Sequence, residues 1–251
     1  MKHMIKALLL LVMLAGCRKE LLVTSPISGP EAIADKQAVG QSAHQLLSAD
    51  AFTSLNLEIQ YAPGMKPQDQ SITNLVNFLN TYLNKPGGIT VIQKQVSSIG
   101  AATVSLQDVV NFEDKNRSAY TDGNTISVYL YFADADYNEK DVIGISFRNT
   151  SLAIFEKTIQ AKTGSINQAN RVKVESGTLM HEMGHLLGLV NTGTPMVKAH
   201  EDAGHKAHCS NANCLMYYSI QTSGLMNNAL DNSIPGLDAD CINDLKANGG
   251  K

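Results

Sequence analysis

Residues 174–189 read VESGTLMHEMGHLLGL and carry the strongest pattern in the chain. Leu179, Met183, Leu186, Leu187 and then Val190 recur at helical spacing, and Gly188 supplies a C-terminal stop. Inside the pattern stands His181-Glu182-Met183-Gly184-His185. Histidines four apart project from one helix face, one turn apart. Two imidazoles so placed can hold one zinc ion, and Glu182 beside them can polarise a water molecule. A reactive zinc centre takes a third protein ligand and keeps one position open. The chain has seven histidines, and five of them (His181, His185, His200, His205, His208) fall within 28 residues, so the third ligand is sought downstream.

Working outward, residues 55–61 alternate apolar and polar side chains, the period of a half-buried strand. A helix is expected over 71–83, with Ser71 as its cap, and a strand over 89–96. A short helix follows at 106–116 and a strand at 125–132, after the turn at Asp122-Gly123-Asn124. One or two further strands are expected over 142–147 and 151–155. Asp134, Asp136 and Asn138 imitate the opening of a calcium loop, but Glu139 and Ile145 occupy its sixth and twelfth positions, so the stretch reads as a solvated acidic turn. The order predicts an α/β (α+β) domain with a mixed sheet packed beneath at least two helices.

Composition bounds the function. Hydrophobic residues at 43% exclude disorder over the whole chain, and a net charge of −3 argues against a nucleic-acid partner. At the start, Lys2 and Lys6 precede an eight-residue apolar run, too short to span a bilayer, followed by Leu14-Ala15-Gly16-Cys17. This resembles a bacterial lipobox, whose cysteine becomes the lipidated first residue. The expected organisation is a signal peptide at 1–16, a lipidated tether at 17–37 and a single domain at 38–251. That implies an exported bacterial lipoprotein held to a membrane through lipid on Cys17. Arg18 in place of Asp favours the outer membrane, with a monomer expected.

His181, Glu182, His185 and Gly188 resemble the metzincin family of zinc proteases. In that family a third histidine follows the glycine by three residues; here that position is Asn191, a poor zinc ligand. Further on, His208-Cys209, four residues, Cys214-Leu215-Met216 resembles the archaemetzincin branch, and lipid-anchored bacterial metalloproteases of the same type. The resemblance implies an insertion of 17 residues (191–207), His208 as third ligand, Met216 as the Met-turn residue in a small C-terminal subdomain, and a mostly parallel twisted sheet with an active-site helix. His205 and His200 compete with His208. Tyr218 either supports catalysis by donating to the tetrahedral intermediate or is a packed surface tyrosine.

In archaemetzincins the cysteines help hold a second, structural zinc together with a later Cys-x-x-Cys. Here Asp238 stands before Cys241, so the four-thiolate set is incomplete. In an oxidising compartment a Cys209–Cys214 disulfide is therefore favoured over a second metal. The function implied is a one-zinc peptidase acting on a peptide or protein substrate through Glu182. Its rival is a non-catalytic zinc-containing binding lipoprotein on the same scaffold.

Overall fold

The computed structural model describes residues 34–165, 168–220 and 233–251; the signal segment and Cys17 lie outside them. Its main sheet has five strands in the order β2-β1-β4-β7-β6. These are β1 (Ser54–Tyr61), β2 (Gly88–Gln95), β4 (Thr125–Phe132), β6 (Gly144–Arg148) and β7 (Ser151–Ile154). The first three and β7 run parallel, and β6 pairs antiparallel to β7 on the outer edge. A two-stranded ribbon, β3 (Thr103–Val104) with β5 (Asp136–Tyr137), stands apart from it.

Helix α1 (Ala43–Leu47) precedes β1, α2 (Asp69–Tyr82) joins β1 to β2, and α3 (Leu106–Asn116) lies between β3 and β4. The chain moves one strand outward through α2, then back across β1 through α3. Parallel crossovers of one hand then place the two helices on opposite faces. The core divides accordingly. Leu57, Ile59, Leu130 and Leu152 pack with Leu75 and Leu79 of α2 and with Leu179 and Met183. Tyr129, Tyr131 and Ala153 pack with Val109 and Phe112 of α3 on the other side.

Coverage of both faces corrects the reading of β1. Its alternation suggested one wet face, yet Asn56, Glu58 and Gln60 are buried too. The polar face is satisfied internally: Glu58 accepts from the main-chain N–H groups of Ser118 and Ala119, and from Gln60. Helix α2 has Gln68 at its N-cap position, without a side-chain capping bond, and Ser71, expected as the cap, is buried inside the helix. Asp136 of the acidic turn pairs with Lys157. Residues 34–37, expected within the tether, belong to the folded body. Asp35 is buried against Arg117 and accepts from Thr121, and Gln37 and Asn149 exchange hydrogen bonds.

Among the described residues the remaining helices are α4 (Glu156–Lys162), α5 (Arg171–Leu186) and α6 (Ala239–Ala247), with a 3-10 turn at Tyr218–Ile220. Helix α5 begins where the Asn170 side chain accepts the Val172 N–H at 2.8 Å. It lies between α2 and the edge strand β6, and from Lys173 to Leu186 every residue is buried.

Candidate metal centre

Helix α5 carries His181 and His185 on one face, as the spacing predicts, and ends abruptly. Gly188 has φ +74°, and a Cβ there would stand 2.5 Å from the Thr194 amide nitrogen and 2.7 Å from Ala43 Cβ. Val190 and Asn191 continue in the left-handed region, at φ 53° and 63°. Asn191 sits in this reversal, and the chain proceeds into the 191–207 segment.

The chain returns with His208. The ring centroids of His181, His185 and His208 form a triangle with sides of 4.8, 5.1 and 5.3 Å. All three side chains are buried, and each offers a nitrogen within 4.8 Å of the others. Two outer nitrogens are tied back. His181 Nδ1 donates to the Leu215 carbonyl at 2.7 Å, and His208 Nδ1 to that of Lys206 at 3.0 Å. Those bonds select the tautomer that leaves Nε2 with a lone pair facing inward. His181 Nε2 and His185 Nε2 are 3.1 Å apart. Two nitrogens ~2.05 Å from one tetrahedral zinc stand ~3.3 Å apart, so the donor set fits that ion. Burial, with His181 and His208 alongside, holds the His185 imidazole well below its ordinary pKa and keeps it neutral, the form that ligates.

The other competitors lie elsewhere. His205 bonds Asp202 at 3.1 Å and stacks face to face on Tyr218, with ring centroids 3.5 Å apart. That stack is the contact in which Tyr218 is held, and its ring is tilted against Tyr217. His200 is buried against Asp244 and Cys209.

Glu182 is fully buried beside the triad. The Ser146 hydroxyl of β6 stands 2.9 Å from its Oε2 and 2.7 Å from its main-chain oxygen. Burial pushes its carboxyl up to about 8, against the opposing pull of the Ser146 bond. Its other oxygen, Oε1, is buried without a hydrogen-bond partner among the described residues. Gly144 leaves space for this carboxylate, since a Cβ there would stand 3.1 Å from Oε1 and 2.6 Å from Thr178. Neither Ser146 nor the Leu215 carbonyl is visible in the sequence. Each reaches the site from a separate segment, and no local pattern marks it.

Met216 is buried under α5. A Cβ on Gly184 would lie 2.3 Å from its sulfur, so Gly184 and Met216 are in direct contact. The Met216 carbonyl accepts the Cys209 N–H at 2.8 Å, and Leu215 N–H donates to Gly236. The turn thus braces His181 through Leu215 and the backbone beside His208 through Cys209.

The expected Cys209–Cys214 disulfide is not formed. Cys209, Cys214 and Cys241 are all free and buried. Cys214 Sγ faces Cys241 Sγ at 3.6 Å, whereas Cys209 Sγ faces His200 and Asp238. The two side chains are drawn to different partners. Cys209, Asp238, Cys241 and His200 offer donor atoms that all lie within 4.8 Å of one another.

No family model matches the chain, and no curated protein matches it. Among solved structures it is similar to archaemetzincin from Methanopyrus kandleri, at 16% identity over 78% of this chain and 96% of that one, with a TM-score of 0.52. It is also similar to metalloproteinase-II from Bacteroides fragilis, at 18% identity over 80% of this chain and a TM-score of 0.46. It covers 54% of that second protein, about half its length. With its mostly parallel sheet, antiparallel edge strand and buried helix bearing His181 and His185, the chain has the archaemetzincin fold.

Proposed function

We propose that this chain is a zinc-dependent metallopeptidase in which His181, His185 and His208 hold the ion and Glu182 is the general base. The observation that carries the reading is the buried triangle of imidazoles beside a carboxylate with one unpartnered oxygen. A bound zinc supplies Lewis acidity toward the scissile carbonyl and makes a water more acidic. Glu182 Oε1 takes the proton of the attacking water and returns it to the leaving amine. Ser146 holds Oε2 and so aims Oε1. Strand β6 is an edge strand, and its outward side can add an extended peptide beside the triad, giving a peptide or protein substrate its register. Lipid on Cys17 tethers the domain to a bacterial membrane, and the outer membrane is the proposed location.

The test is Glu182→Gln. Wild type binds zinc, measured by elemental analysis, and cleaves a mixed peptide library. The variant retains zinc and loses roughly 10²–10⁴-fold in turnover, the weight of a general base. Undiminished hydrolysis in the variant overturns the mechanism. Zinc binding with no cleavage by wild type makes the chain a binding lipoprotein on this scaffold.

A further inference from the structure

The 191–207 segment does more than delay the third ligand. It buries His200 in a second group of donors outside the triad. His200 Nε2 donates to Asp244 Oδ2 of α6 at 2.8 Å, and Asp244 is itself fully buried and also accepts the Val197 N–H at 2.6 Å. A carboxylate behind an imidazole fixes its orientation and raises its basicity, the arrangement found behind metal-bound histidines. The opposite nitrogen, Nδ1, lies 3.4 Å from Cys209 Sγ and 4.0 Å from Cys241 Sγ. Asp238 Oδ2 is 3.3 Å from Cys209 Sγ. The N–H of Asn211 points at Cys209 Sγ at 3.5 Å and favours negative charge on that sulfur, whereas those of Met216 and Asp238 point at Cys214 Sγ, outside this group, each at 3.4 Å.

The archaemetzincin resemblance implies four thiolates here, and the chain cannot supply them, because position 238 is aspartate. The structure offers another solution. We propose that His200, Cys209, Asp238 and Cys241 form a mixed nitrogen–sulfur–oxygen site for a second divalent ion of the zinc class, in which Asp238 takes the place of the missing thiolate and His200 of the inserted segment supplies the fourth ligand in place of Cys214. Two sulfurs, one imidazole and one carboxylate suit a borderline-soft ion in a closed, structural geometry. The ion joins three separate pieces of chain: the inserted segment, the turn after His208 and the start of α6. Cys209 adjoins His208, so this site holds the backbone that presents the third triad ligand.

The test uses the full chain with Cys17→Ser, which removes the thiol outside the described residues. Metals are stripped anaerobically with a chelator under reducing conditions, and cobalt(II) alone is titrated back. Uptake should reach about two equivalents, one of them with the near-ultraviolet sulfur-to-cobalt charge-transfer band of thiolate ligation. His200→Ala and Cys209→Ser should each abolish that band, with folding checked by circular dichroism. His200→Cys should restore the band with greater intensity, because it adds a sulfur. His181→Ala should leave the band intact while the other equivalent is lost, which separates this proposal from the peptidase reading. A wild-type protein without the charge-transfer band overturns the proposal. So does a His200→Ala band identical to wild type, or a Cys214–Cys241 disulfide in protein purified without reductant.

Discussion

Gly184→Ala probes the contact between helix α5 and the turn that carries Met216. The new Cβ would lie 2.3 Å from Met216 Sδ and 3.1 Å from its Cε, with Leu189 Cδ1 at an ordinary 3.5 Å. Carbon and sulfur neighbours normally sit at ~3.5–4 Å, so the overlap exceeds ~1 Å. Overpacking of that size falls toward the upper part of the ~1–3 kcal/mol range. Alanine in a helix interior returns ~1 kcal/mol relative to glycine. The net expectation is a loss of ~1–2 kcal/mol, or ~2–8 °C in Tm for a domain of this size. Met216→Ala removes the obstructing atoms and by itself costs ~2–5 kcal/mol through the cavity left behind. In that background the helix-propensity gain is no longer offset, and Gly184→Ala should raise Tm by ~2–4 °C. The swing between backgrounds is a coupling of ~2–3 kcal/mol. Urea and thermal unfolding of the four proteins by circular dichroism measure it. Displacing Met216 also shifts the Leu215 carbonyl that orients His181, so zinc affinity should fall in the single variant. Equal destabilisation in both backgrounds would refute the placement of Met216 beneath the helix.

Ser146→Ala removes the hydroxyl that joins β6 to Glu182, and should lower kcat ~10-fold with KM and zinc content unchanged, the effect of one lost hydrogen bond. Glu156 and Glu175 are buried and share Arg171, which lies 2.7 and 3.3 Å from their oxygens. Burial first, and in Glu156 the neighbouring Glu175 as well, raises both carboxyls above their ordinary range. The folded chain therefore binds more protons than the unfolded chain above pH ~4.3, and stability falls as pH rises through the native titration. Urea midpoints from pH 5 to 9 should decline, and Glu156→Gln should flatten the slope.

How much was legible follows the range of the interaction. The helix bearing His181 and His185 was readable because a 3.6-residue period needs only its own sequence. The strands at 89–96 and 125–132 and the helix at 106–116 were readable for the same reason, and each appears within a residue or two of its expected bounds. Alternation in β1 suggests one wet face because local pattern does not say that α3 covers the other side, where Glu58 finds its partners in residues 118–119.

By itself the sequence determined the pairing of His181 and His185 on one helix face with Glu182 between them, and the order of elements, all set within one turn of helix or one strand length. Only the tertiary structure decided which of three downstream histidines joins the pair, that Ser146 and the Leu215 carbonyl orient the site, and that Cys209 turns to His200 instead of Cys214. Those choices depend on where a 17-residue detour lands against α6. Packing and buried hydrogen bonds settle that landing, and spacing along the chain carries no record of them.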